Sequence, residues 1–334
     1  MNKKIAINGF GRIGRLVFRH LMQANSSNVV AINDIAPLDN LAYLLRHDSV
    51  QADPQERITT NGNTLCWDDK EVRFLSERDP SQLPWKELGV DLVIEASGIF
   101  TKREDAAKHL QAGASRVIIS APAKGADLTI CMGVNEQRYD PNKHLIISNA
   151  SCTTNCLAPV AKVLDDEFGI ITGLLTTVHA YTSSQAIVDA PSRKMRRGRA
   201  GAVSIVPTTT GAAIATTEVL PNLKGRLDGL AIRVPVPVGS IIDFVAQTQK
   251  ELSVQKVNDA YRKAARSDRM KGILNVSDDE LVSADIVGST YSATIDALST
   301  MVLGDQTVKV LAWYYNEWGY ARRVVDLSNF VNSN

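Results

Sequence analysis

The run Ser148-Asn149-Ala150-Ser151-Cys152-Thr153-Thr154-Asn155-Cys156 sets two thiols four residues apart, where a β-branched stretch gives way to a helical pattern. A thiol in the first turn of a helix feels the partial positive charge of unpaired backbone N–H groups, which favours thiolate and hence nucleophilic attack. Cys152 has that position. Cys156 shares its helix face one turn on, where the terminal field has faded, and reads as a buried, less ionised thiol. A free thiol is only about a few per cent ionised near neutrality, so a nucleophile of this kind calls for a neighbouring base. His179 closes the apolar stretch Leu174-Leu175-Thr176-Thr177-Val178 and is the best-placed imidazole. Each has a plainer reading: most free cysteines are small buried hydrophobes, and a histidine ending a strand can simply be hydrogen-bonded.

A second chemical signal stands at the start of the chain. Gly9-Phe10-Gly11-Arg12-Ile13-Gly14 fits G-x-G-x-x-G, follows the strand-like Lys4-Ile5-Ala6-Ile7 and opens a helical pattern. Glycines there permit a tight turn and a close approach of backbone to a pyrophosphate at a helix N-terminus. Asp34 ends the next strand-like run, 34 − 14 = 20 residues on, the spacing at which a carboxylate meets the adenosine ribose hydroxyls. Glycine turns and surface aspartates are common singly; the four conditions together point to a dinucleotide. Metal chemistry finds no support. Cys66, Cys131, Cys152 and Cys156 make no C-x-x-C pair, and the five histidines are scattered.

These groups need a scaffold. Up to about residue 150 short β-branched runs alternate with helical patterns: strands over 4–7, 29–32, 90–94, 116–119, 128–132 and 145–147, helices over 14–22 and 102–112. That alternation reads as a doubly wound parallel sheet with covering helices. Beyond it, a helix over 152–168 is followed by longer alternating strands over 173–178, 227–234 and 241–250, which suit an antiparallel sheet. Residues 318–330 place Ala321, Val324, Val325 and Leu327 at helical spacing. Between 179 and 208 runs a long polar segment with the basic stretch Arg193-Lys194-Met195-Arg196-Arg197-Gly198-Arg199; segments of that length are usually functional or ordered by a partner.

The 334 residues are 44% hydrophobic and 22% charged with a formal net charge of +1, which suits about two globular domains and sets up no field for a polyanion or an acidic membrane. Met1-Asn2-Lys3-Lys4 leads into a strand without the apolar run of a secretory signal, and no apolar stretch reaches membrane-span length. A cytoplasmic protein is expected, with neither nucleic acid nor membrane as its main partner.

Taken together, INGFGRIGR, SNASCTTNCLAP, TTVHAYT, IVPTTTGAA, RVPVP and WYYNEWGYARR resemble the glyceraldehyde-3-phosphate dehydrogenase family through essentially the whole chain. SNASCTTN is highly specific, unlike G-x-G-x-x-G. The resemblance implies an α/β architecture: a Rossmann-type NAD-binding domain over 1–150, an α+β catalytic domain with a largely antiparallel sheet over 151–315, and a closing helix, about 316–334, packed back on the first. It implies an oxidoreductase of glycolysis and gluconeogenesis that converts D-glyceraldehyde 3-phosphate and inorganic phosphate to 1,3-bisphosphoglycerate while reducing NAD. Cys152 would carry a hemithioacetal and then a thioester, with His179 as base.

By position, the resemblance assigns Ser151, Thr153, Thr210 and Gly211 to the attacking phosphate and Thr182 and Arg233 to the substrate's own, with Arg197 assisting from the long loop. Gly9, Gly11, Arg12, Ile13 and Gly14 fall at the pyrophosphate, Asp34 at the adenosine ribose, and Arg78, Ser120 and Asn316 around adenine or nicotinamide. The basic run then reads as a solvated or subunit-contact loop of a homotetramer. Two positions depart from the family's pattern: relatives often carry an acidic residue or threonine where Ser184 stands, so it receives no substrate role, and Ala190-Pro191 lies in the loop that varies with coenzyme preference. NAD is expected over NADP. The competing readings are an erythrose-4-phosphate dehydrogenase, whose pattern usually departs from the HAYT and TTTGAA kept here, and a non-catalytic moonlighting protein, against which an intact Cys152 and His179 argue.

Overall fold

A computed structural model describes residues 3–24, 28–51 and 57–334. Met1 and Asn2, on which the expectation of no secretory signal partly rests, lie outside them. The chain divides into two compact units, one of residues 1–130, 137–150 and 321–334, the other of residues 131–136 and 151–320.

The first unit runs β1 (Lys4–Asn8), α1 (Arg12–Gln23), β2 (Asn28–Asn33), α2 (Leu38–Arg46), β3 (Ile58–Asn61), β4 (Thr64–Trp67), β5 (Lys70–Leu75), α3 (Trp85–Leu88), β6 (Leu92–Glu95), α4 (Arg103–Gln111), β7 (Arg116–Ile119), β8 (Leu128–Thr129) and β9 (Ile146–Ser148). Its sheet has the order β3-β4-β5-β2-β1-β6-β7-β9-β8, parallel from β5 onward, while β3 and β4 form an antiparallel meander onto β5. Strands buried on both faces read as continuous apolar runs rather than alternating ones, and Leu92, Val93 and Ile94 are all at most 1% exposed. From β1 the chain goes to β2 on one side and reaches β6 on the other, so the strand order reverses there. The carboxyl ends of strands at such a reversal are where an open α/β sheet leaves a crevice for a ligand.

The second unit runs α5 (Cys152–Phe168), β10 (Ile170–Ala180), β11 (Val206–Thr209), α6 (Ala212–Val219), β12 (Leu227–Val234), β13 (Ser240–Thr248), α7 (Val254–Ala265), β14 (Leu274–Ser277), β15 (Ala293–Asp296), β16 (Met301–Leu303) and β17 (Thr307–Tyr314). Its sheet has the order β11-β12-β10-β13-β17-β15-β14, with β16 beside β17. Most pairs are antiparallel, as the alternation suggested, but β10–β12 and β14–β15 are parallel. Helix α5 buries Leu157, Val160 and Leu164 completely, each worth about 1.5–3 kcal/mol. Tyr261, fully buried on α7, donates its hydroxyl to the Val160 carbonyl at 3.1 Å. The last helix, α8 (Trp318–Ser333), buries Ala321, Val324, Val325 and Leu327 to 1% exposure or less.

Several boundaries differ from the sequence reading. The strand expected over 128–132 is only Leu128–Thr129, because Cys131 turns to donate its N–H to the Asn135 side-chain oxygen instead of continuing the ladder. Among the described residues no helix is long and apolar enough to cross a membrane.

Candidate active site

Helix α5 starts where the sequence places the reactive run. Ser151 is its N-cap and accepts the Thr154 N–H at 3.1 Å on its hydroxyl, a cap worth about 1 kcal/mol. Ala150, buried just before it, holds φ at +55°, a left-handed conformation that costs a non-glycine residue about 1–2 kcal/mol. Cys152 is the first helical residue and keeps an opening to solvent, whereas Cys156 is fully buried with Sγ 3.9 Å from the Ala312 carbonyl.

His179 comes to Cys152 from the neighbouring sheet. It lies near the C-terminal end of β10, which sits inside the sheet between β12 and β13. Its Nε2 is 3.5 Å from Cys152 Sγ, and its Nδ1 is 2.6 Å from the Ala180 carbonyl. Two acceptors would repel at that distance, so Nδ1 carries the ring proton and Nε2 faces the thiol with its lone pair. The ring edge packs on Tyr314, whose hydroxyl bonds Thr153 Oγ1 at 2.9 Å and Thr177 Oγ1 at 2.8 Å.

The parallel register of β10 and β12 sets Arg233 directly beside His179. Its guanidinium donates to the Ala180 carbonyl at 3.0 Å and the Thr182 hydroxyl at 3.3 Å, and passes 3.1 Å from His179 Nδ1. Since Nδ1 carries the ring proton, that last approach is proximity, and the carbonyl is the acceptor common to both. Arg233 Nε is buried with no hydrogen-bond partner among the described residues, a donor left over for an anion. Thr182 also meets Ser184 Oγ at 2.9 Å.

Burial and the Arg233 charge act jointly here. Burial pushes the His179 imidazole down to about 3, with Arg233 adding to the fall. Burial pushes the Cys152 thiol up, against a downward pull from Arg233 and from Thr153. The helix terminus therefore does not by itself yield a thiolate. At neutral pH the pair rests as thiol and neutral imidazole, and the proton is poised to move onto Nε2.

The remaining anion-site expectations fare unequally. Arg197 donates from the 3-10 turn Met195–Gly198 to Thr208 Oγ1 at 3.1 Å. Thr210 Oγ1 accepts the Ala212 N–H at 3.1 Å, and Gly211 caps α6 with open space where a Cβ would stand. The Thr153 hydroxyl is engaged with the Tyr314 hydroxyl at 2.9 Å. The sequence reading missed Tyr314 and Thr177. Thr177 could have been found, since it precedes His179 by two residues and so shares its sheet face.

In the first unit the glycine loop, Asp34 and Arg78 line one cleft of about 380 Å³ with Asn8, Asn33, Ile35, Glu77, Ser97, Ile99 and Phe100. Gly9 has φ +92°, and a Cβ on it would lie 2.3 Å from Ser97 N; one on Gly14 would lie 2.0 Å from the Gly9 carbonyl, whereas Gly11 opens on empty space. Helix α1 has no side-chain cap and no acid in its first turn. Loop backbone packed this tightly, above an uncapped helix N-terminus, is the cradle a dinucleotide pyrophosphate requires, and the residues present fit NAD. Asp34 accepts the Phe10 N–H at 2.6 Å and the Ala36 N–H at 2.9 Å on separate oxygens, which leaves lone pairs on each for ribose hydroxyls. Arg12 is ion-paired with Asp48, Ile13 is half-buried, and Ser120, just past β7, lies outside the cleft lining. In the second unit, Asn316 accepts the Gly239 N–H and the Ser240 hydroxyl on its side-chain oxygen. Asn8 and Asn33 were also missed, though each immediately precedes a residue of the glycine–aspartate signal.

Residues 3–103 match the model of the glyceraldehyde 3-phosphate dehydrogenase NAD binding domain, and residues 151–316 that of the same enzyme's C-terminal domain. The chain is 56% identical over 333 residues to the glyceraldehyde-3-phosphate dehydrogenase of Geobacillus stearothermophilus, covering 100% of this chain and 99% of the relative. It is 52% identical over 334 residues to that of Streptomyces coelicolor, with the same coverage. Glyceraldehyde-3-phosphate dehydrogenase 1 of Bacillus subtilis is 53% identical over 331 residues, covering 99% of this chain and 98% of the relative.

Proposed function

Because the chain belongs to the glyceraldehyde-3-phosphate dehydrogenase family, we propose that its NAD-dependent oxidation and phosphorylation of glyceraldehyde 3-phosphate runs through Cys152 and His179. The observation that carries this reading is the 3.5 Å approach of Cys152 Sγ to His179 Nε2, with the other ring nitrogen locked on the Ala180 carbonyl.

Cys152 attacks the aldehyde carbon, and as the C–S bond forms its proton passes to His179 Nε2. The imidazolium then donates that proton to the developing alkoxide, giving the hemithioacetal. NAD, when bound, supplies the hydride acceptor. As the C–H pair of electrons departs, His179 takes back the hydroxyl proton and the carbonyl re-forms as a thioester on Cys152. Inorganic phosphate adds to that carbonyl and expels the sulfur, and the acyl phosphate leaves. Arg233 with Thr182 holds the substrate's phosphate, while Ser151, Thr153, Thr210 and Gly211 hold the attacking one, with Arg197 assisting from its loop. Gly9, Gly11, Arg12, Ile13, Gly14, Asp34, Arg78, Ser120 and Asn316 serve the cofactor.

A homotetramer in the cytoplasm belongs to the same proposal. Leu174 and Ile214, 66% and 62% exposed, line a groove of about 660 Å³ on the second unit, and apolar surface gathered this way marks protein contacts. Light scattering should return four times the 36.3 kDa chain mass. For the chemistry, the test is NAD reduction with glyceraldehyde 3-phosphate, with and without inorganic phosphate, in wild type and Cys152→Ser. Steady turnover without phosphate, or turnover in the variant, overturns the thioester route.

A further inference from the structure

Below the cleft of the first unit, the C-terminal ends of β2, β1 and β6 carry a row of buried polar side chains. Asn8 is the register partner of both Asn33 and Glu95, and the three are 2%, 4% and 1% exposed. The polarity of this row is fixed from both ends. Glu77 donates its backbone N–H to Asn33 Oδ1 at 2.8 Å and accepts from Asn33 Nδ2 on its carbonyl at 2.9 Å, which determines which end of that amide is which. Asn33 Nδ2 therefore also faces Asn8 Oδ1, at 2.7 Å, and Asn8 Nδ2 faces Glu95 Oε2 at 2.6 Å.

From the opposite side comes Trp85, whose indole N–H can only donate. It meets His109 Nδ1 at 3.0 Å, so that nitrogen accepts, the ring proton sits on Nε2, and Nε2 donates to the same Glu95 oxygen at 3.0 Å. The second Glu95 oxygen accepts the Ser97 N–H at 2.8 Å and the Ser97 hydroxyl. Glu95 is thus enclosed by donors on both oxygens, with the fully buried His109 and Trp85 behind it.

We propose that Glu95, oriented by His109 and Trp85, is a positioning residue for NAD binding: it clamps Ser97 and Asn8, and through Ser97 the backbone on which the glycine loop rests. Both clamped residues line the cleft, and Ser97 N is the atom a Cβ on Gly9 would strike at 2.3 Å. The inference rests on the reading of this cleft as the NAD site.

An amide cannot satisfy this arrangement, because its NH₂ would confront either Ser97 or the Asn8–His109 pair. Leaving a buried donor unpaired in this way should raise the NAD dissociation constant of Glu95→Gln, titrated calorimetrically into the full-length protein, by about tenfold or more. Its kcat at saturating NAD should stay within about twofold, since nothing acting only in the transition state has been removed. Asp34→Ala is the control. Normal NAD affinity in Glu95→Gln beside lost affinity in Asp34→Ala overturns the clamp and leaves the cleft standing; normal affinity in both overturns the cleft as well. A second pair separates hydrogen bonding from packing. His109→Gln offers an oxygen to Trp85 and an N–H to Glu95 and should rescue NAD affinity, whereas His109→Leu fills the space with neither and should lose about tenfold. Equal affinities in that pair overturn the proposal, and the pair decides the matter if Glu95→Gln does not accumulate as folded protein.

Discussion

Cys152 Sγ and His179 Nε2 face each other at 3.5 Å, and the Ala180 carbonyl, 2.6 Å from His179 Nδ1, determines which ring nitrogen the thiol sees. A base whose lone pair already points at the proton it must remove needs no rotation before attack. The resting thiol gains its nucleophilicity at the moment of proton transfer rather than beforehand.

The two neighbouring thiols should behave differently. Cys152→Ser is expected to abolish turnover and Cys156→Ser to keep most of it, because Cys156 is fully buried and burial pushes its thiol well above the ordinary range. Iodoacetate labelling followed by peptide mapping checks the assignment. Modification of Cys156 ahead of Cys152 at neutral pH would exchange their roles.

Acid should destabilise the protein through His179. Its folded-state value of about 3 lies below that of an unfolded histidine, so between the two the unfolded chain binds a proton that the native state refuses. The stabilisation is complete above about pH 6.5 and is lost as pH falls toward 3, about 2 kcal/mol of it by pH 5. His179→Asn cannot titrate and should lose correspondingly less between pH 7.5 and 5. Urea midpoints at fixed protein concentration test this, and parallel curves for the two proteins would contradict it.

Arg233→Ala should raise KM for glyceraldehyde 3-phosphate far more than for unphosphorylated glyceraldehyde, by about tenfold or more, because the lost guanidinium can bond a phosphate and the neutral aldehyde cannot exploit it. Both substrates should also react more slowly, since Arg233 opposes the rise of the Cys152 thiol. Equal KM changes on the two aldehydes would assign Arg233 to structure alone.

Asp34 should favour NAD over NADP by about a hundredfold or more, since a carboxylate that bonds ribose hydroxyls opposes a 2′-phosphate at the same place. Asp34→Gly should narrow the ratio of the two kcat/KM values. Comparable wild-type efficiencies would shift coenzyme choice to the Ala190-Pro191 segment.

Much of this protein can be read from local pattern. The glycine loop, Asp34 and the helix opening at Cys152 are legible because each is a short-range requirement: a turn that tolerates no Cβ, a carboxylate closing a strand, a thiol following a helix cap. The alternation of strand and helix before residue 150, and the longer alternating strands after it, follow from which faces must be buried, and burial writes itself into sequence period. The break after Thr129 escaped because a single side chain, Asn135, captures the backbone N–H that the ladder would have used.

Other relationships exist only between elements. Arg233 stands beside His179 because β10 and β12 pair in parallel in one register, and nothing local to either strand selects that partner. The hydroxyl of Tyr314 occupies Thr153, a residue that motif position assigned to phosphate. Glu95 and His109 carry no motif at all; their polarity is fixed by the Glu77 backbone and the Trp85 indole, which lie on other segments of the fold. The sequence by itself determined which groups could do chemistry and on what kind of element each would ride, because those demands are local. Tertiary structure alone decided which proton sits on which nitrogen, which donors are already spent and how far burial moves a thiol or an imidazole, because these depend on the neighbours that packing brings within hydrogen-bond distance.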